Sequence, residues 1–293
     1  MSAMLQDVTF LEGGYCLQSG RMVGEPSWAL RRFYATFVYF RHPVHGPALV
    51  DCGYGPQYLA ATRCLPARLL RWTLPGTTVD RRDAETRWSE RGIDRRQIAT
   101  IFVTHFHGDH IGALRDFEGL PAKYVYRPSE RQHLERLGYL AQLCSGYLSS
   151  LVPADLEDRG EAIEETAFAP GEGDLAGFRV VDYWHDGSLL LVDLPGHSFG
   201  HYGVLLRTAD GPLFYVVDAC WSVRAMLQGK RLPSPARQAQ HSFEEYAKTQ
   251  EKLRDLARRS DLPIVACHCK STEARLSPRV GVPPIAAPGE APR

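Results

Sequence analysis

No stretch of this 293-residue sequence is both long enough and free enough of charge to span a bilayer as a helix. Residues 1–14 carry Asp7 and Glu12 and lack a basic start followed by an apolar core, so no secretory signal is expected there. An excess of either charge is also missing: 34 Lys and Arg balance 34 Asp and Glu. A net charge of zero supplies no global field to attract nucleic acid or an anionic membrane, and neither is expected as a partner. Basic pairs such as Arg81-Arg82 and Arg95-Arg96 have acidic neighbours and read as solvated faces. The seven cysteines are scattered and odd in number, unlike a disulfide framework, which points to a reduced, cytoplasmic compartment. No repeat of fixed short period is visible, which argues against a solenoid.

What is present is an ordinary globular composition, 44% apolar and 23% charged, in a chain long enough to bury a sizeable core. Residues 33–40 and 48–50 read as paired strands around a turn at 42–47, the second ending in Asp51-Cys52-Gly53. Helix is expected over 58–72 with an interruption at Pro66, over 84–91 ending at Gly92, and over 129–147, opened by Ser129 with Gln132. The acidic, weakly patterned residues 148–174 read as a surface insertion or a cover over a cleft. Two hairpins follow, pairing 178–184 with 188–194 and 202–207 with 213–217. Ser242 with Glu245 caps a helix running to about Arg259, and 262–266 form a last strand. Residues 275–293, rich in Pro, Gly and Ala, read as a disordered tail. That leaves 1–274 as one domain, with 54–97 and 111–174 as helical, substrate-facing segments.

The chemistry concentrates in Thr104-His105-Phe106-His107-Gly108-Asp109-His110, directly after the β-branched, apolar run 98–103. Beyond a strand end the chain still alternates, so His105 and His107 project to one side. Gly108 then lets the backbone turn, bringing Asp109 and His110 beside them. Four nitrogen or oxygen donors in six residues suit a borderline metal such as zinc. His197 follows the apolar run 191–194, Asp218 follows 213–217, and His268 follows 264–266. Each alone is a common surface feature. If their strands share a sheet, the strand ends form one edge where all the groups converge. Five histidines and two aspartates exceed the needs of one ion and fit two ions sharing a bridging carboxylate and a bridging hydroxide.

This pattern resembles the metallo-β-lactamase superfamily over residues 33–270. Its five motifs stand here as Asp51 in Leu49-Val50-Asp51-Cys52-Gly53, the His-x-His-x-Asp-His of 105–110, His197 in Pro195-Gly196-His197, Asp218, and His268. The resemblance implies an α/β fold, a four-layer αβ/βα sandwich of two mixed sheets, each faced by helices, with metals at one edge. It implies two divalent metal ions, zinc foremost, with iron and manganese accepted by the same donors. His105, His107 and His197 would hold one ion; Asp109, His110 and His268 would hold the other, with Asp218 bridging. Asp51 would orient a ligand histidine. The bridging hydroxide would attack a carbonyl, and Asp109 would carry a proton to the leaving group.

Within the superfamily the chain looks most like the N-acyl homoserine lactonases. This implies quorum-quenching hydrolysis of a small-molecule lactone or ester with an apolar portion. Those lactonases typically place a tyrosine three residues after the bridging aspartate, to hydrogen-bond the substrate carbonyl. Here that position is Trp221, whose indole N–H can donate in its stead and whose ring equally suits a pocket wall. Two alternatives share the resemblance: a glyoxalase-II-like thioester hydrolase, and a non-hydrolytic metal- or ligand-binding sensor. Exposed helices and the 221–240 loop offer surfaces for a homodimer.

Overall fold

The computed structural model describes residues 3–284. Its first sheet begins with β1 (Gln6–Ser19), β2 (Leu30–His42), β3 (Gly46–Val50), β4 (Thr100–Phe102), β5 (Lys123–Tyr126) and β6 (Gly160–Ala162), hydrogen-bonded in that order. The second contains β7 (Ala169–Pro170), β8 (Arg179–Asp182), β9 (Leu189–Asp193), β10 (Tyr202–Thr208), β11 (Gly211–Val217) and β12 (Ile264–Ala266). Its spatial order is β12-β11-β10-β9-β8-β7. The two-residue β13 (Leu276–Ser277) returns to the first sheet and pairs parallel to β1. Both sheets are mixed: β1, β2 and β3 pair antiparallel, β3 to β6 parallel, and β12 runs parallel to β11 at the edge of an antiparallel array.

Three apolar layers separate four layers of structure, and strand alternation generates them. In β2, Val38 and Phe40 point one way and Phe37 and Tyr39 the other. The first pair meets Phe102, Val125, Leu191, Val204 and Val217 in a core between the sheets. The second pair meets Trp88, Leu114, Phe117 and Leu134 beneath the helices on the outer face of the first sheet. In β11, Tyr215 and Val217 face the inter-sheet core, while Phe214 and Val216 face Leu253 and Leu256 of helix Phe243–Arg259. Strands covered on both faces read as continuous apolar runs, which is why they were conspicuous in the sequence. The result is the expected four-layer αβ/βα sandwich.

Several elements differ from expectation. The 14-residue β1 is not among the strands the sequence predicts, because Gly13 and Gly14 interrupt its alternation where the register shifts between Glu12 and Tyr15. The helix expected over 129–147 is two, Pro128–Arg136 and Tyr139–Cys144, broken where Leu137 and Gly138 adopt extended backbone. Ser129 does not cap it; its hydroxyl donates to Glu165 at 3.0 Å. The 58–72 segment is Pro56–Ala61 followed by two short turns after Pro66. Residues 148–174 are not a cover over a cleft: they bury Leu148, Leu151 and Leu156 and supply edge strands β6 and β7, one to each sheet. The tail does not begin at 275, since β13 pairs with β1 and Val280 N–H donates to the Arg91 carbonyl at 2.8 Å. Residues 285–293 of that expected tail lie outside the described residues. Ser242 does cap helix Phe243–Arg259, accepting from Glu245 N–H at 3.3 Å. Among the described residues, no helix is long and apolar enough to cross a membrane.

Candidate metal centre

The residues singled out by the sequence lie just beyond the carboxyl ends of strands: Asp51 after β3, His105 after β4, His197 after β9, Asp218 after β11 and His268 after β12. The β3–β4 and β11–β12 pairs are both parallel, so these ends share an edge. The short helix Gly108–Ile111 carries Asp109 and His110 back towards that edge. Two residues reach it on left-handed backbone, Asp51 at φ 61° and Val217, just before Asp218, at φ 52°. For a β-branched residue that conformation is a strained outlier. It is held by the Cys267 N–H, which donates to the Val217 carbonyl at 2.9 Å.

Two groups of donors result. His105, His107 and His197 form one; His110, Asp218, Cys267 and His268 form the other, with the candidate donor atoms of each group within 4.8 Å of one another. Asp109 joins the second group through His268 Nε2, 3.1 Å from its carboxylate. Asp218 Oδ2 lies between the groups, 3.3 Å from Nε2 of both His197 and His268 and 3.7 Å from Nε2 of His110. Cys267, not anticipated as a donor, has its sulfur occupied by the Thr36 backbone, accepting from its N–H at 3.2 Å.

The rings are oriented from behind. Asp51 accepts from Thr104 N–H at 2.9 Å and Thr104 Oγ1 at 2.8 Å, and meets His110 Nδ1 at 2.7 Å. His268 Nδ1 donates to the Tyr34 carbonyl at 2.7 Å, and Gln240 Oε1 accepts from His197 Nδ1 at 2.9 Å. His201 is not a ligand: Nδ1 donates to the Leu194 carbonyl at 3.0 Å while Nε2 accepts the Asp218 N–H at 3.2 Å. These contacts leave the other ring nitrogens facing one another, with His107 Nδ1 only 3.0 Å from His197 Nε2. His105 Nε2, His110 Nε2 and Asp218 Oδ1 are buried without any hydrogen-bond partner. Buried, convergent polar atoms without partners are costly unless a cation takes them up, so the donor set fits a metal.

Charge divides the same way. Burial lowers His107 and His197 to about 4 and His105 well below its usual value, keeping the first group neutral and able to ligate. Burial acts downward on His110 and His268 too, but neighbouring carboxylates, Asp109 for the first and Asp218 for the second, outweigh it and raise both well above the usual value. Burial would raise Asp109, yet His110 and His268 hold it below the ordinary carboxylate range. The second group is thus anionic enough that protonated imidazoles balance it, a role a divalent cation would take over.

The edge opens into a cavity of about 670 Å³. His107, Asp109, His197, Asp218 and His268 line its floor, with Phe33, Leu69, Leu74, Leu140 and Leu143 among the walls. The 54–97 segment contributes from Tyr54 to Leu74 and the 111–174 segment from Leu140 to Gly146; residues 148–174, expected as part of a substrate-facing segment, contribute none. Trp221 is at the wall, and its indole N–H donates to Asp218 Oδ2 at 3.1 Å. Sequence reasoning missed Gln240 and the Tyr34 carbonyl. A glutamine far along a loop and a backbone oxygen carry no local pattern to betray a contact with a distant histidine.

With the fold and donor geometry in place, comparison with known proteins defines the class. Residues 31–216 match the metallo-beta-lactamase superfamily, and the chain belongs to it. The N-acyl homoserine lactonase AttM of Rhizobium radiobacter is 26% identical over 178 residues, 60% of each chain. "Cytochrome P450 monooxygenase mpaDE" of Penicillium brevicompactum is 28% identical over 155 residues, which are 50% of this chain but only 17% of that protein. Among solved structures, an N-acyl homoserine lactone hydrolase with N-hexanoyl-L-homoserine at its catalytic metal centre superposes with a TM-score of 0.69 at 15% identity. The superposition covers 96% of this chain and 100% of that one, a likeness of fold.

Proposed function

We propose that the protein is a dinuclear metal-dependent hydrolase of a lactone or related carboxylic ester with an apolar portion, similar to quorum-quenching lactonases. The shared carboxylate carries this reading: Asp218 Oδ2 stands 3.3 Å from a histidine of each donor group, at the floor of a cavity walled largely by apolar side chains. His105, His107 and His197 would hold one cation, Asp109, His110 and His268 the other, and Asp218 both, with zinc best suited to the imidazole and carboxylate donors. Bound there, divalent cations supply Lewis acidity and lower the pKa of water towards neutrality.

The chain's own residues do the rest. Asp51 and Tyr34 fix the rings of His110 and His268, so their Nε2 atoms need no reorganisation. Asp109 lines the cavity and would pass a proton to a leaving oxygen. The leucines at 69, 74, 140 and 143, with Phe33, would take up the apolar portion of the substrate. The names of AttM and of the product-bound neighbour support a lactone as the substrate class.

A substrate panel tests the reading: N-acyl homoserine lactones of rising chain length, a simple γ-lactone, an aryl ester, a glutathione thioester, nitrocefin and a phosphodiester. Lactone or ester turnover that is abolished by chelation and restored by zinc is the expected result. Turnover of the phosphodiester alone would refute carbonyl hydrolysis, and turnover of the thioester alone would move the substrate class. Tight metal binding without any turnover would favour a sensor.

A further inference from the structure

We propose that Trp221 and Gln240 are positioning residues that set metal affinity, and that the Trp221 N–H makes no hydrogen bond to substrate although its ring lines the cavity; this rests on the two-cation reading of the site. An indole has a single donor, and that of Trp221 is committed to Asp218 Oδ2, the oxygen that lies between the two histidine groups. It is not free for a substrate carbonyl. The ring also packs against two apolar clusters, one of Cys16, Val23 and Phe33 and one of Leu232, Ala236 and Tyr246. It meets the His197 ring edge-on, with centroids 5.8 Å apart. So bounded, the indole cannot swing its N–H into the cavity without unpacking two apolar clusters.

Gln240 does for His197 what Trp221 does for Asp218. Its amide nitrogen donates to the Ala236 carbonyl at 2.9 Å, which turns its oxygen towards His197 Nδ1. That contact places the imidazole proton on Nδ1 and leaves Nε2 as a lone pair facing Asp218 and His107. Both residues belong to the segment 221–240. Where this segment enters helix Phe243–Arg259 it also grips the backbone: His241 N–H donates to the His197 carbonyl and Ser242 N–H to that of Gly196, both at 3.0 Å. One segment thereby holds the histidine the second sheet gives to the first donor group and the aspartate both groups share. The same segment lines the cavity through Pro235, Ala236, Gln238 and Ala239, so the substrate wall and the grip on the ligands are one body.

The test compares wild type with Trp221→Phe, Gln240→Leu and Gln240→Glu. Zinc affinity is measured by chelator competition on metal-free protein shown to be folded by circular dichroism, and KM and kcat are measured at saturating zinc. Trp221→Phe and Gln240→Leu should each bind zinc about 10–100-fold more weakly, with KM at saturating zinc unchanged. Gln240→Glu keeps an acceptor for Nδ1 and should retain most of the wild-type affinity, and the Gln240 pair decides the matter if Trp221→Phe does not fold. Unchanged zinc affinity in Gln240→Leu, or in Trp221→Phe with a raised KM, would overturn the proposal, the latter making the Trp221 N–H a donor to substrate. A wild type that binds no zinc would refute the two-cation reading itself, a separate result.

Discussion

Replacing Glu130 with glutamine should flatten the pH dependence of stability between about pH 4.5 and pH 8. Glu130 lies on helix Pro128–Arg136, is 1% exposed, and accepts the Phe106 N–H at 3.3 Å from beneath the histidine loop. Burial is the main cause that pushes its carboxyl up from 4.5 to about 7, against the pull of the Ser198 hydroxyl, the Phe106 N–H and the Arg127 charge. Below the lower value both folded and unfolded chains are protonated and the group costs nothing. As pH rises through the interval, the unfolded chain ionises first and stability falls. Above the folded value the cost levels off at about 3 kcal/mol, taking about 1.36 kcal/mol per pH unit. Glutamine keeps an oxygen for the Phe106 N–H and removes the titration. Urea unfolding of the metal-free proteins across this range gives the free-energy difference between variant and wild type. It should grow in favour of the variant by about 3 kcal/mol from the acid to the alkaline end. A difference that stays constant with pH would refute the reasoning.

Three further substitutions probe the frame of the site. Asp51→Asn presents an amide where His110 Nδ1 now meets a carboxylate at 2.7 Å, and should weaken zinc binding about 10–100-fold; unaltered affinity in a chelator titration would contradict this. In Gly196→Ala the new Cβ would stand 2.1 Å from Tyr246 N at φ 119°, so the turn must move and carry His197 with it. A lowered Tm and lost metal are expected, and wild-type behaviour in both would show that the turn does not set the ligand. Leu253→Ala empties a fully buried position in the outer layer, on helix Phe243–Arg259, and should cost about 2–5 kcal/mol in urea unfolding while leaving metal content intact.

The residues that hold the fold and the donors were conspicuous for physical reasons. Strands such as β4 and β11 are covered on both faces, so their apolar runs end abruptly where the chain reaches the polar edge, and the next residues are the donors. Helix Phe243–Arg259 announced itself through the Ser242 cap and the spacing of Tyr246, Leu253 and Leu256. Elements that depend on tertiary pairing were silent. Strand β1 mixes polar and apolar residues about a glycine bulge and is specified by its partner β2, and β13 is too short to show any period. Residues 148–174 look polar because they form sheet edges, with only isolated apolar residues such as Leu151, Leu156, Ile163 and Phe168 turned inward. Trp221 marks the limit of motif reading: its position suggested a donor to substrate or a pocket wall, and in the structure its ring lines the cavity while its N–H is directed at Asp218 Oδ2.

The central claim is that two donor groups share Asp218, and metal stoichiometry tests it directly. Elemental analysis of zinc-saturated, desalted protein should find about two ions per chain in wild type, about one each in His105→Ala and His268→Ala, and neither held tightly in Asp218→Ala. A wild type that saturates at a single ion, or an Asp218→Ala variant that keeps both, would contradict the account.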